Sequence, residues 1–153
     1  MPNGFPFRFG ARSRTLERPP LALTLLTYYD ILLVGVVPGA IALIQHFSAP
    51  PEVRGPILVV FGSLLLSAGI IWTANDAWYG RPWARYGLMA LVGIYYGGLA
   101  FGAPWTVDLA VVLHPGASTL ETVLRMGRSL FWVGLHAGVL FVHNRDHFAS
   151  SRA

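Results

Sequence analysis

The chain has 153 residues, of which 54% are hydrophobic and only 12% charged, with a formal net charge of +4. Soluble domains of this size usually carry about a quarter charged residues, so the composition points to a membrane protein with room for one compact domain. Cysteine is absent, which excludes disulfides, thiolate metal sites and a cysteine nucleophile.

All 11 basic residues are arginine and none is lysine, a bias that fits GC-rich coding and hence a bacterial source. The calculated pI of about 10.0 would suit a nucleic-acid binder, but the arginines flank apolar runs instead of forming one basic face. The lipid bilayer, and not nucleic acid, is the expected partner.

Residues 1–20 read as a cytoplasmic tail in which Phe5, Phe7 and Phe9 alternate with small or basic residues. Arg8, Arg12, Arg14 and Arg18 make the tail polybasic, and each such residue gains about 1 kcal/mol beside anionic lipid. A first apolar span covers 21–47. It is about twice as long as the apolar core of a signal peptide, and no Ala-x-Ala cleavage pattern follows it, so it reads as an uncleaved helix. At this length it must tilt, kink at Pro38 or begin in the interface.

Three prolines within Ala49–Pro56 end that helix, and a second span follows at 57–74. The connector 75–86 carries Trp78, Tyr79 and Trp83, which settle at headgroup depth, together with Arg81 and Arg85 as lipid-surface cations. A third span is expected at 86–103. In the long connector that follows, Val107–Leu113 is too short to cross a bilayer and is expected to lie in the interface. Ser118 with Glu121 three residues later is a capping-box pattern, which predicts a helix start outside the bilayer and a fourth span at 127–143. Residues 147–153 form a second cytoplasmic tail.

Arginines decide the orientation. Eight lie at the N-terminus, the 75–86 connector and the C-terminus, against three at Arg54, Arg125 and Arg128. The excess fits an all-α integral membrane protein with four transmembrane helices as two hairpins and both termini cytoplasmic, in a bacterial inner membrane. A shift of 63 residues aligns Ile31 with Ile94, Gly35 with Gly98 and Gly39 with Gly102, which suggests a weak internal repeat of helices one and three.

Small residues recur four apart at Gly35 and Gly39, Gly93 and Gly97, Gly98 and Gly102, and Gly134 and Gly138. Such pairs let helix backbones approach closely in lipid, either inside one bundle or between subunits. Three helices with such faces exceed what one central seam needs. The expected partners are therefore other membrane subunits or further copies of the chain.

Asp30 is the one acidic side chain inside an apolar run, and an intramembrane carboxyl is a functional candidate by default. Three readings are open. In one, Tyr28 and Tyr29 mark the membrane edge and Asp30 is shallow; in another, Ser63, Ser67, Tyr95 or Tyr96 satisfies it as a buried structural group. The third is a carboxyl that takes up and releases protons. His136, near the middle of helix four, is the second candidate, as a bundle residue bonded to Asp30 or to a carbonyl of helix one. A haem site would need a second imidazole at similar depth, and none is present. His143 and His147 are spaced for two ligands on one helical face, a poor metal site at a helix end.

No nucleophile elbow, phosphate loop or HExxH pattern appears, so no catalytic residue, metal or cofactor is assigned. An acidic residue in the first of four helices is similar to the layout of small multidrug-resistance transporters, although this chain has a longer external connector and shares no further motif. The expectation is a small non-catalytic membrane subunit. The alternative is an oligomeric proton-coupled transporter using Asp30.

Overall fold

A computed structural model describes residues 19–52, 54–106 and 119–149. The described residues contain helices and no strands. Helix α1 spans Leu21–Ser48, α2 Ile57–Trp78, α3 Pro82–Phe101 and α4 Thr119–Ala137, and a short α5, Arg145–Ala149, closes the chain. Two of these, α1 and α2, are long and apolar enough to cross a membrane. The first is interrupted by a π-helical segment, Asp30–Val36, and α4 runs on into a second one, Gly138–His143.

Proline and glycine set the ends. Helix α1 starts behind Pro19-Pro20, with the Thr24 amide donating to the Pro20 carbonyl at 2.9 Å. It stops at Ser48 because Ala49 precedes a proline and is forced into extended geometry, with φ −71° and ψ 138°. Pro38 lies just after the first π segment. Lacking an N–H and crowding the carbonyl one turn back, it would kink a regular helix. Here the wider π turn, in which the Val37 amide bonds to the Leu32 carbonyl, immediately precedes it.

The helices that carry the predicted second and third spans, 57–74 and 86–103, reach further towards each other than those spans. Helix α2 continues past residue 74 to Trp78, and α3 starts at Pro82 and stops at Phe101. The connector therefore shrinks to Tyr79-Gly80-Arg81. Asn75 and Asp76, which look like loop residues, are buried helical positions. Gly80 makes the short turn possible. Its φ of 69° is left-handed, and a Cβ there would sit 2.9 Å from the His147 carbonyl oxygen. Gly80→Ala is therefore expected to cost about 2 kcal/mol, combining left-handed strain with a backbone clash. Gly102, also at φ 69° but with nothing nearer than 3.9 Å, should lose about 1 kcal/mol on the same change. Denaturant unfolding of the two variants side by side tests this difference.

Consecutive helices pack as neighbours, and the π segment of α4 also reaches α1. Gly35 meets Ile71 and Gly39 meets Ser67, so small residues on α1 seat it against α2. Gly69 meets Leu91 and Gly87 meets Thr73 between α2 and α3. The core holds Leu23, Val34, Ile70, Leu88, Val92 and Leu140, all at or below 1% exposure. Helix α5 folds back so that Phe148 enters this core and His147 Nε2 donates to the Trp78 carbonyl at 3.2 Å. Large apolar side chains remain exposed on all four long helices, among them Phe47, Leu58, Phe101 and Leu130. Exposed apolar side chains of this kind suit contact with lipid or with another protein.

The residues matched by the 63-residue shift occupy unlike places. Ile31 is buried while Ile94 is exposed, and Gly39 is in mid-helix while Gly102 ends α3. Residues 1–18, which include Arg8, Arg12, Arg14 and Arg18, lie outside the described residues, as do Ser118 and the expected interfacial segment 107–113.

Candidate functional site: a buried Asp–His pair

Asp30 and His136 meet in the interior. His136 Nε2 lies 2.7 Å from Asp30 Oδ1, and both side chains are 0% exposed. Each is carried deep inside its helix. Asp30 is nine residues, or about 13 Å along the axis, beyond the start of α1, and His136 is about 10 Å before His143. The pair joins α1 to α4, helices 106 residues apart in sequence.

Hydrogen-bond directions restrict where the protons are. His136 Nδ1 lies 2.6 Å from the Trp132 carbonyl oxygen, which can only accept, so Nδ1 carries a hydrogen and donates. One further proton then lies on the Nε2–Oδ1 line. It makes either an imidazolium beside a carboxylate or a neutral imidazole beside a carboxylic acid. Both forms are neutral overall, which is how two ionisable groups can share a dry interior. Both ring nitrogens are engaged, so neither is free to bind haem iron. The atom with an open valence is Asp30 Oδ2, which is buried and has no hydrogen-bond partner among the described residues. A second proton can enter the pair at Oδ2 without breaking either existing bond.

Aromatic rings enclose the pair. The Tyr29 ring stacks on Trp132 with centroids 4.2 Å apart, and its hydroxyl is 2.7 Å from the Tyr96 hydroxyl on α3. The Tyr96 ring lies 6.1 Å from His136, and Tyr95 packs edge-on against Tyr96 at 5.2 Å. Three helices thus converge on one cluster: Tyr29 and Asp30 from α1, Tyr96 from α3, and Trp132 and His136 from α4. Asp30 is the first residue of the π segment in α1, and His136 lies two residues before the π segment in α4. Single-turn π-helical irregularities within α-helices are rare and concentrate at functional sites.

Asp30 is not satisfied by the hydroxyls named from sequence. Ser63 donates to the Trp105 carbonyl at 2.8 Å, and Ser67 packs on Gly39. Both are therefore used further along α1–α2, towards the other end of the bundle. Trp132 was not singled out by sequence, although it lies one turn before His136 on the same face, and Tyr29 was read only as a marker of the membrane edge.

The glycines divide into groups. Gly35 and Gly39 are packing positions, Gly98 is covered by Thr106 and Trp105, and Gly102 caps α3 through the Ala103 amide bond to the Gly98 carbonyl at 2.8 Å. Gly93, Gly97, Gly134 and Gly138 have nothing within 4 Å of a built Cβ, so they form no seam among the described residues. His143 and His147 do not share a regular helical face, because the chain turns at Asn144 between them. No group of three or more His, Cys, Asp or Glu that could hold a metal ion occurs among the described residues. Arg81 is held by Asp76 at 2.9 Å, while Arg85 stacks on aromatic rings. No known protein family, curated protein or solved structure matches the chain.

Proposed function

We propose that the chain is a four-helix integral protein of a bacterial cytoplasmic membrane, with both termini cytoplasmic, and that its working group is the Asp30–His136 pair, which takes up and releases a proton. The observation that carries this reading is the 2.7 Å contact between two fully buried ionisable side chains on different helices. Apolar residues of similar size would hold two helices together as well or better, so a buried pair is weakly explained by stability alone. Its place at the start of one π segment and just before another, with Oδ2 open, supports a pair whose proton content changes and alters how α1 meets α4. The activity that fits is proton-coupled movement of a small molecule, with Asp30 as the proton acceptor and Tyr29, Tyr96 and Trp132 as the walls of the site.

Difference infrared spectroscopy of the reconstituted protein between acidic and basic pH tests the reading. A carboxylic C=O band should appear on acidification and be absent in Asp30→Asn. A spectrum in which Asp30→Asn removes no pH-dependent carboxyl signal would make the pair structural.

A second reading is favoured by Gly93, Gly97, Gly134 and Gly138, whose faces are unfilled among the described residues. In that reading the chain is a non-catalytic subunit that docks a further copy or another membrane protein through α3 and α4. Native mass measurement in mild detergent decides it. A complex larger than one chain supports docking, and a monomer that no crosslinker extends in cells removes it.

A further inference from the structure

Arg85, in the first turn of α3, is a cation held by aromatic rings and matched by no carboxylate among the described residues. Its guanidinium carbon lies 4.8 Å from the Tyr86 ring centroid, 5.4 Å from Phe141 and 5.8 Å from Phe148. These contacts come from three separate helical segments and fix the group in one place. A guanidinium has five N–H donors. Among the described residues one bond engages them, from one terminal nitrogen to the Tyr86 hydroxyl at 2.9 Å. Arg85 Nε is buried without a partner among the described residues. Arg81, one turn earlier, differs, because Asp76 matches its charge. The rings around Arg85 supply quadrupole attraction but accept no hydrogen bond in the guanidinium plane, so the open edge still calls for an anion.

The surroundings identify the anion's source. Trp83 and Tyr86, on either side of Arg85, are 49% and 56% exposed. Exposed tryptophan and tyrosine settle at the headgroup level of a bilayer. We infer that Arg85 is a specific site for the phosphate of an anionic phospholipid headgroup, with the guanidinium edge binding phosphate oxygens and Trp83 and Tyr86 lying along the glycerol and upper acyl region. The inference rests on the membrane reading and is independent of the Asp30–His136 proton site.

The test uses the full chain in detergent, first delipidated, then given phosphatidylglycerol, phosphatidylcholine or inorganic phosphate. Native mass spectrometry and thermal unfolding read the outcome. Phosphatidylglycerol should bind roughly tenfold better than phosphatidylcholine and raise the unfolding temperature. Arg85→Gln should bring that ratio close to one, and Arg85→Met, which keeps the stem packed, should do the same. Arg54→Gln, which removes an equal charge elsewhere, should leave the preference intact. Equal binding of the two lipids by the wild type, or a preference that survives both Arg85 variants, overturns the site. Stabilisation by inorganic phosphate equal to that by phosphatidylglycerol would show a general anion site and overturn the lipid assignment. A chain extracted from cells without detergent would instead refute the membrane reading.

Discussion

Replacing Asp30 by leucine alone is expected to cost about 3–5 kcal/mol of bundle stability, and replacing both Asp30 and His136 by leucine should cost far less. The single change leaves His136 in a dry interior with Nε2 unmatched, since Asp30 Oδ1 is its partner there. His136→Leu leaves the carboxyl without its bond, and a neutral acid then still loses a buried hydrogen bond, about 1–3 kcal/mol. The double variant removes both polar groups and fills the space with apolar volume. Unfolding of all four proteins in mixed micelles completes the cycle. A coupling of several kcal/mol is the expected outcome, and simple additivity would mean that the two side chains do not interact. The double variant also has a use beyond stability. A folded bundle without the pair should lack the pH-dependent carboxyl signal, which separates proton uptake from mere cohesion.

Glycine-to-alanine changes should divide just as sharply. Gly35→Ala places a methyl 2.6 Å from Ile71 Cγ1 and 3.3 Å from the Asp30 carbonyl oxygen. Ile71 is branched at Cβ and helical, so it has little freedom to swing away. We expect a loss of about 2–3 kcal/mol, restored in part by Ile71→Ala, which removes the clashing atom. Gly93→Ala and Gly134→Ala meet nothing within 4 Å. They should leave the fold unchanged or stabilise it by up to about 1 kcal/mol through helix propensity. If α3 or α4 docks another chain, these same two variants weaken the complex while strengthening the single bundle. Unfolding and native mass measured on one preparation give both readouts.

Apolar run length and proline placement made the helices legible in the sequence, because both act locally. The first helix begins behind Pro19-Pro20 and ends before Pro50-Pro51. The ends that were missed depend on tertiary contact. Asn75 and Asp76 are polar and belong by composition to a loop, yet they are enclosed by the bundle and continue α2 to Trp78. At the site, both ionisable residues were visible as rare polar groups in apolar runs, and their pairing was among the options. What sequence could not supply was the choice among partners. Ser63, Ser67, Tyr95 and Tyr96 are chemically able to bond a carboxyl, and only the packing of α4 against α1 selects His136. The glycine pairs show the same limit. Four-residue spacing marks a smooth patch, but it does not say whether the patch meets a helix, a cap or nothing.

The π segment of α1 explains a further regularity. Leu23, Thr27, Ile31, Gly35 and Gly39 are all buried, and they recur every fourth residue. In an unbroken α-helix that spacing drifts by about 40° per step, so five such positions would wind halfway around the rod. The wider turns of Asp30–Val36 unwind this drift and keep the buried series closer to one side. The irregularity is thus a phase corrector, matched to a four-residue beat in the sequence. Removing one residue from Asp30–Val36 would let this stretch close as a regular α-helix, because a π turn holds about one residue more than an α turn. The part of α1 beyond it would keep nearly its present phase, so this helix should tolerate a single-residue deletion best there and worse in its regular turns.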